Sequence, residues 1–533
     1  MATKGSSPGI DLVSPLPPVR SGIADYSRDL LPRLAEVYDL RVVAVPGQEI
    51  AAEIAERWHP VDAGRLGEDG RVPFYQMGNN RYHEEVLRLA LERPGIVTMH
   101  DLVLHHLLVE STLARAEYDR YEELLTGDHG WIGELVATAR RWGELAAATM
   151  FELPAHRALI RAQRGILVHS RWAARQIREQ EDDVAVRTVP MAVPLPERVA
   201  DEEAAEFRRR HDLPADRPLL GSFGFQTPIK RTEVAIRALA HPALEDAHLV
   251  IAGEVAGVLD YDGLAEELGV ADRVHVTGFL DYADFERAIT ACDLCLNLRY
   301  PTAGETSASL LRVLALGRPA VVSDFAQFAE LPDEVALKVP LGEGEDAALA
   351  EAAGAVLADP DRLAEMGRAA RDYVRRRHDP REAAATVAAA LAELAVLDPP
   401  GERPVEVAPP TTLLWQDLPG RLEVAGADAP WREGERRALA VDLANTGVAT
   451  WLPTKEQPGG VILDLQWRPG IREEAVERTW AELPTALAAG AERSFEIELR
   501  RPRGGRFLVI EPHIENLAGL SRFGGPTWVG EYE

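Results

Sequence analysis

Cysteine is scarce in this chain of 533 residues: there are two, Cys292 and Cys295. They stand as C-x-x-C in ITACDLCLNL, a buried-looking helix end and strand, with no second pair. A metal site needs about four ligands, so the pair reads as small core residues, a redox pair being the alternative. Positive charge is also in deficit. Lys and Arg number 58 against 86 Asp and Glu, a net charge of −28, and such a surface repels phosphate polyanions. Nucleic acid is therefore an unexpected partner, and a broad basic patch on anionic lipid is equally out of place. The clusters Arg208–Arg210 and Arg375–Arg377 read as solvated helix faces. No apolar run reaches the ~18 residues a membrane span requires. The start, MATKGSSPGIDLVSPLPP, lacks the apolar core of a signal peptide. These absences point to the cytoplasm and leave only peripheral membrane contact open. G-x-G-x-x-G is missing, which weakens a dinucleotide dehydrogenase, and G-x-x-x-x-G-K-[ST] is missing, which argues against a P-loop. No D-x-D pair follows a strand in the way that would hold a diphosphate through a metal, so no metal and no cofactor are expected.

The chain is too long for one domain, given a prior of about 150 residues each. Residues 10–47 read as strand, Gly-containing loop, amphipathic helix and strand, a βαβ opening that favours a parallel sheet. Residues 73–101 repeat the pattern, with polar Gly78, Asn79 and Asn80 after one strand and His100 and Asp101 after the next. Residues 104–163 are helical and less regular. The strand Ile166–Val168 ends in His169 and Ser170, and VRTVPMAVPLP, about 187–197, reads as a strand and Pro-rich hinge. A second α/β set follows. Its strands are Leu219–Phe223, 248–254, 273–280, 294–298 and 320–324, and Ala-rich helices from Asp346 to Leu397 are expected to close it. The expected division is 1–195, 196–397, a stiff Pro-rich linker at 398–412, and 413–533. In the last stretch the period changes to short strands with Gly and Asn turns, at the spacing of an antiparallel sandwich. It holds Trp415, Trp431, Trp451, Trp467, Trp480 and Trp528, either sandwich core or a surface pair stacking on sugar rings. The fold class is thus α/β, two tandem Rossmann-like domains with a cleft between them, plus a C-terminal all-β sandwich.

The stretch Leu294–Asp324 organises the cleft. It reads as strand, loop, helix and strand, with Thr306 and Ser307 able to cap the helix and Gly317 ending it. A helix beginning directly after a parallel strand points free N–H groups and a positive dipole into the crevice, where anions bind. Glu305 sits at this mouth. A carboxylate beside a phosphate is unfavourable unless it has hydroxyls to grip, so the combination suggests a sugar nucleotide; the alternative is a capped helix with a solvated Glu. In GFQTPIKR, Lys230 falls just after the first strand of the second set. There it can neutralise a departing diphosphate, or it is simply a surface Lys at a helix start.

The motifs PLPPVRSGIADYS, YQMGNNRYH, GIVTMHD, ILVHSRWAARQI, FGFQTPIKR and RYPTAGETSASLLRVLALGRPAVVSDFAQFAELPD, in that order across about residues 10–395, resemble a retaining glycosyltransferase of the two-Rossmann (GT-B) type. They are similar to glycosyltransferase family 4, in the branch found with bacterial surface-polysaccharide enzymes. The resemblance implies that Gly22 lies near the diphosphate and reacting sugar, and that His100 is the active-site histidine beside the donor sugar. It implies that Lys230 binds the diphosphate and Glu305 the donor sugar, that Thr306 and Ser307 offer backbone N–H groups to phosphate, and that the backbone at Gly278 and Phe279 lies by the base. The implied reaction moves a hexose from a nucleoside diphosphate sugar to a glycan or lipid-linked glycan, with retention and without metal. Two positions depart from the pattern. Arg312 stands where the family has the second Glu of its Glu-x7-Glu motif. Phe225 stands where an Arg precedes the Lys, leaving Arg231 as a substitute cation. His100 has a plainer reading as a turn cap at a strand end. In the tail, Asn445-Thr446-Gly447 and Trp451 resemble the NTG…TW pattern of Ig-like modules. The rival functions are an inactive scaffold or carbohydrate-binding protein on the same fold, and a nucleotide-sugar epimerase.

Overall fold

The computed structural model describes residues 9–141, 143, 149–196, 199–399, 412, 419–447, 449–453, 460–514, 518–519, 521 and 525–532. Most of the Pro-rich linker at 398–412, together with Trp415, lies outside them. The chain divides into two compact units: residues 1–115 with 156–403, and residues 116–155 with 404–533.

The first unit holds two parallel sheets. Seven strands form the first: β1 (Ile10–Val13), β2 (Leu40–Ala44), β3 (Val61–Asp62), β4 (Val72–Met77), β5 (Ile96–Met99), β6 (Gly165–Val168) and β7 (Val186–Thr188). Their order is β3-β2-β1-β4-β5-β6-β7. β1, β4, β5 and β6 are buried along their whole length, as expected for strands covered by helices on both faces. Asp11 in β1 is the buried charge among them. It is tolerated because Arg41 and Arg71 donate three bonds to its two oxygens at 2.7–2.8 Å and Gly67 N–H adds a fourth.

The second sheet has β8 (Leu219–Phe223), β9 (His248–Ala252), β10 (Val274–Gly278), β11 (Leu294–Asn297), β12 (Ala320–Ser323) and β13 (Ala336–Val339), in the order β10-β9-β8-β11-β12-β13. Strand order reverses beside β8, where β9 lies on one side and β11 on the other, and such a reversal opens a crevice at the strand ends. β13 is absent from the sequence reading because ALKV is a short run broken by Lys338 and its middle residues are half-exposed.

The Ala-rich helices divide between the two halves. Helices Glu345–Leu357 and Pro360–Arg377 pack on the second sheet, through residues such as Leu349, Ala353, Ala370 and Val374. The last helix, Pro380–Leu394, does not. It buries Ala384, Val387, Leu391 and Leu394 with Ile10, Leu12, Leu16, Leu30 and Phe74 of the first half. The expectation that every helix to Leu397 closes the second sheet is therefore corrected. An Ala/Leu face fits either sheet, and periodicity cannot say which. The chain crosses between the halves twice, once after β7 and once before Pro380.

In the second unit, helices Tyr118–His129 and Trp131–Arg141 precede two antiparallel sheets. One has the order β14 (Gly420–Ala425), β15 (Arg436–Asn445), β18 (Glu492–Arg500). The other runs β17 (Glu477–Glu482), β16 (Val461–Arg468), β19 (Phe507–Ile514), β20 (Ala518–Gly519), with β21 (Trp528–Glu531) also on β19. Each sheet buries alternate residues, Leu439, Val441 and Leu443 in one and Leu463, Leu465 and Trp467 in the other. Trp431, Trp451 and Trp467 are fully buried, and Trp480 and Trp528 are half-buried, so these aromatics are chiefly core.

Candidate active site

The C-terminal ends of both parallel sheets in the first unit meet at one cleft. The loop after β5 and the loop after β11 interlock there: Leu102 N–H and Val103 N–H both donate to Ala303 C=O, at 2.7 and 3.0 Å. Gly304 has φ +79°, and a Cβ on it would stand 2.6 Å from Leu102 Cβ, so the contact requires glycine. Trp172 N–H, after β6, donates to the Glu330 carboxylate, after β12.

On the second-half wall, Ser307 caps the helix Ala308–Ala315, accepting from Leu310 N–H at 3.2 Å and donating to Asn297 Oδ1 at 3.0 Å. Thr306 precedes the cap. Glu305 is fixed by its own loop. Its Oε2 accepts from Thr302 Oγ1 at 2.9 Å and Ala303 N–H at 3.0 Å, and its Oε1 lies 3.5 Å from Arg299 Nε. Lys230 is 9% exposed and donates to Phe223 C=O. Burial, then the neighbouring Arg299, holds its ammonium well below the usual lysine range, opposed by Glu305. Burial likewise lowers the Arg299 guanidinium, with Glu305 pulling the other way. Lys230, Arg299 and Glu305 are thus one electrostatic group of two buried cations and one carboxylate.

Arg299 is a cation beside Lys230 that the sequence reading did not name. Arg231 is engaged elsewhere: Nε donates to Glu345 Oε1 at 3.0 Å and Nη2 to Oε2 of that buried carboxylate. Arg231 has left-handed φ, 51°, which sets it apart from the run of Lys230. Arg299 lies just beyond β11, and that position at a strand end was the available signal. Phe225 is 57% exposed. At the ends of β8, β9 and β10, Gly224, Gly253 and Gly278 lie side by side. Gly253 and Gly278 form a bridge, and a Cβ on Gly253 would stand 2.3 Å from Gly224 O. This bare backbone runs into Phe279, 69% exposed.

On the first-half wall, Gly22 opens the helix Gly22–Leu34, capped by Ser21, rather than lying in the loop before it. It lines a cavity of about 270 Å³ with Asp25, Arg28, Tyr282, Ser309 and Arg312. Arg312, at the position of the family's second Glu, lies with its Cζ 4.1 Å from the centroid of the Tyr282 ring, a cation–π contact. His100 stands at the end of β5. Its Nε2 is 2.8 Å from the Gln76 side-chain oxygen and its Nδ1 is 3.3 Å from His169 Nε2. His169 Nδ1 is 3.1 Å from Val189 C=O. Tyr26 packs edge-on to both rings, with centroids at 4.8 and 5.8 Å. Burial holds both imidazoles low, His169 at about 4. Asp101, next to His100, accepts from Asn79 N–H at 3.0 Å. Its carboxyl is pushed up to about 7 by burial and then by Glu305 across the cleft. The sequence reading placed Asp101 and His169 at strand ends without giving them a role.

Cleft, helix tip and cations sit in a recognisable frame. Residues 203–373 match the family described as Glycosyl transferases group 1. Three solved structures illustrate the fold. Sucrose-phosphate synthase from Thermosynechococcus elongatus is 17% identical, with 73% of this chain and 99% of that chain covered and a TM-score of 0.50. Anabaena Alr3699/HepE in complex with UDP-glucose is 15% identical, with 72% and 99% covered and a TM-score of 0.51. A glycosyltransferase from Rickettsia africae is 11% identical, with 73% and 99% covered and a TM-score of 0.51. Comparison with curated protein sequences gives no match. The first unit has the GT-B fold. Its second half carries a glycosyltransferase group 1 domain, and the protein is a glycosyltransferase. Among the described residues no helix is long and apolar enough to cross a membrane.

Proposed function

We propose that the protein is a retaining, metal-independent hexosyltransferase that uses a nucleoside diphosphate sugar and a glycan or lipid-linked glycan acceptor. One observation carries the reading. Two buried cations, Lys230 and Arg299, stand by the capped helix Ala308–Ala315, and the nearest carboxylate, Glu305, is already bonded by Thr302 and Ala303. A diphosphate supplies the negative charge such a group lacks, and charge that grows on the leaving oxygen is stabilised most in a dry site. Glu305 then has its partly free Oε1 for sugar hydroxyls. The bare ends of β8–β10 and Phe279 offer a shelf for the base.

The bond from the anomeric carbon to the phosphate oxygen breaks while Lys230 and Arg299 hold the departing charge. The acceptor hydroxyl bonds to the same face, and its proton passes to the departing phosphate. No cofactor takes part, because the nucleotide arrives with the substrate. We assign the C-terminal sheets to an Ig-like accessory module. The complex of HepE with UDP-glucose makes UDP-sugars the first donors to test.

The test has two stages. A thermal-shift screen against GDP, UDP, ADP and dTDP sugars finds the donor, and NMR of the transfer product reads its anomeric configuration. Stabilisation by one donor class and a retained anomer in the presence of EDTA are expected. An inverted product, or a strict metal requirement, contradicts the mechanism. Product formed from donor alone is the signature of an epimerase.

A further inference from the structure

His100 has no free ring nitrogen. Gln76, His100, His169 and Val189 form an unbroken polar chain at 2.8, 3.3 and 3.1 Å. The direction of its hydrogen bonds is set from one end. A carbonyl only accepts, so His169 Nδ1 carries a proton and donates it to Val189 C=O. The His169 ring is buried and neutral, with its pKa at about 4, so its Nε2 is a bare acceptor. His100 Nδ1 must then be the donor to it. His100 is buried and neutral too, so its Nε2 is bare and needs a donor. Among the described residues its hydrogen-bond partner is the Gln76 amide.

As placed, Gln76 turns its oxygen to that nitrogen, which would set lone pair against lone pair. Its Nε2 meanwhile is buried without any hydrogen-bond partner. Oxygen and nitrogen of an amide are assigned from the hydrogen-bond network, and turning this one over removes the conflict. The oxygen is then the atom left unpaired, a less unfavourable arrangement than an orphaned N–H. The other titratable groups nearby do not change the assignment. Tyr26 is held by burial above its ordinary range and stays neutral, and burial lowers His83 to about 4.

We propose that Gln76 and His169 are positioning residues that hold His100 as a neutral ring with its proton on Nδ1, so that His100 meets substrate through its C–H edge and not as an acid or base. The far end of the chain is on the crossover between the two halves. Val189 follows β7, and two residues on, His378 Nδ1 donates to Met191 C=O at 2.9 Å, while Val193 N–H donates to His378 C=O at 3.1 Å. The first crossover is thereby bonded at Val189 to the His100 relay and at Met191 and Val193 to the second crossover. This inference rests on the transfer reading for its catalytic meaning, and on the hydrogen-bond geometry together with the burial of both rings for the proton positions.

The test uses full-length protein labelled with ¹⁵N-histidine. Long-range ¹H–¹⁵N spectra at pH 7 are expected to show Nδ1 protonated and Nε2 bare in both His100 and His169. A proton on His100 Nε2, or a doubly protonated His100, overturns the proposal. In Gln76→Glu an ionised carboxylate only accepts, while His169 Nε2 still needs the His100 Nδ1 proton, so His100 is expected to gain a second proton at Nε2. We then expect kcat to fall tenfold or more, with KM for the donor within threefold. Gln76→Met, which adds no buried charge, is expected to lower kcat in the same direction. A proton gained at His100 Nε2 with unchanged kcat removes the positioning role. If wild-type protein transfers no sugar, that role falls with the transfer reading, whereas the spectrum still decides the proton positions by itself.

Discussion

Asp101 and Glu305 come from opposite halves of the first unit, and the Glu305 carboxylate helps to keep the Asp101 carboxyl protonated. Burial makes the larger contribution, Glu305 the next, and the Asn79 N–H opposes both, leaving Asp101 at about 7. The two loops that carry them are locked by the bonds from Leu102 and Val103 to Ala303. Asp101 therefore sits beside the locked loops with its carboxyl pushed up to about 7.

That arrangement predicts a pH slope in stability. An Asp in the unfolded chain titrates near 3.9, so between about pH 4 and 7 the folded state holds the extra proton. Its contribution to stability is present at low pH, is lost as pH rises through this window, and stays lost above it. Asp101→Asn removes the slope. Thermal melts are expected to show a larger gain in Tm over wild type at pH 8 than at pH 5, and equal gains would contradict the assignment.

Anion binding is expected to draw in protons. Lys230 is held well below the usual lysine range by burial and Arg299. A bound diphosphate opposes both effects and raises it again. Titration calorimetry with UDP, in two buffers of different ionisation enthalpy, is expected to report net proton uptake at pH 8. Net release would remove Lys230 from the diphosphate site.

Lys230→Ala is expected to lower kcat by a hundredfold or more, about 3 kcal/mol of barrier, with a much smaller change in donor affinity. Steady-state kinetics paired with direct binding distinguishes the two effects. Unchanged turnover would exclude Lys230 from the mechanism.

The two arginines are expected to separate cleanly. Arg299→Gln weakens donor binding, since it removes one of the two cations facing the diphosphate. Arg231→Ala leaves Glu345 buried without its partner, and breaking a buried pair destabilises by about 3–5 kcal/mol. Chemical denaturation and donor titration of both variants give opposite rankings. The same ranking in both assays would contradict the division of roles.

Much of this site is legible in the residues. Apolar runs ending in polar loops place eleven of the thirteen parallel strands, all but β3 and β13, and the Ser307 cap follows from TSASLL. What escapes is whatever depends on partners distant in sequence. Arg299 is one residue past a strand, and nothing local says that it joins Lys230. Arg231 has the right charge in the right place, yet Glu345, far along the chain, takes it. Gly22 falls one step inside a helix because Ser21, not a later residue, supplies the cap. Glu305 could be singled out from sequence because it stands directly before the capped helix tip, a position that local pattern alone defines.

The helix Pro380–Leu394 has a bearing on how this polypeptide can be cut. It supplies a flank of the sheet that begins at residue 10, although nearly two hundred residues intervene between it and the last strand of that sheet. A fragment ending at residue 195 would expose Leu12, Leu30 and Phe74 to water and would be prone to clump. The first half is therefore not a free-standing cassette, and any shuffling of donor halves between such enzymes has to keep this closing stave with the first sheet or replace it with one of matching shape.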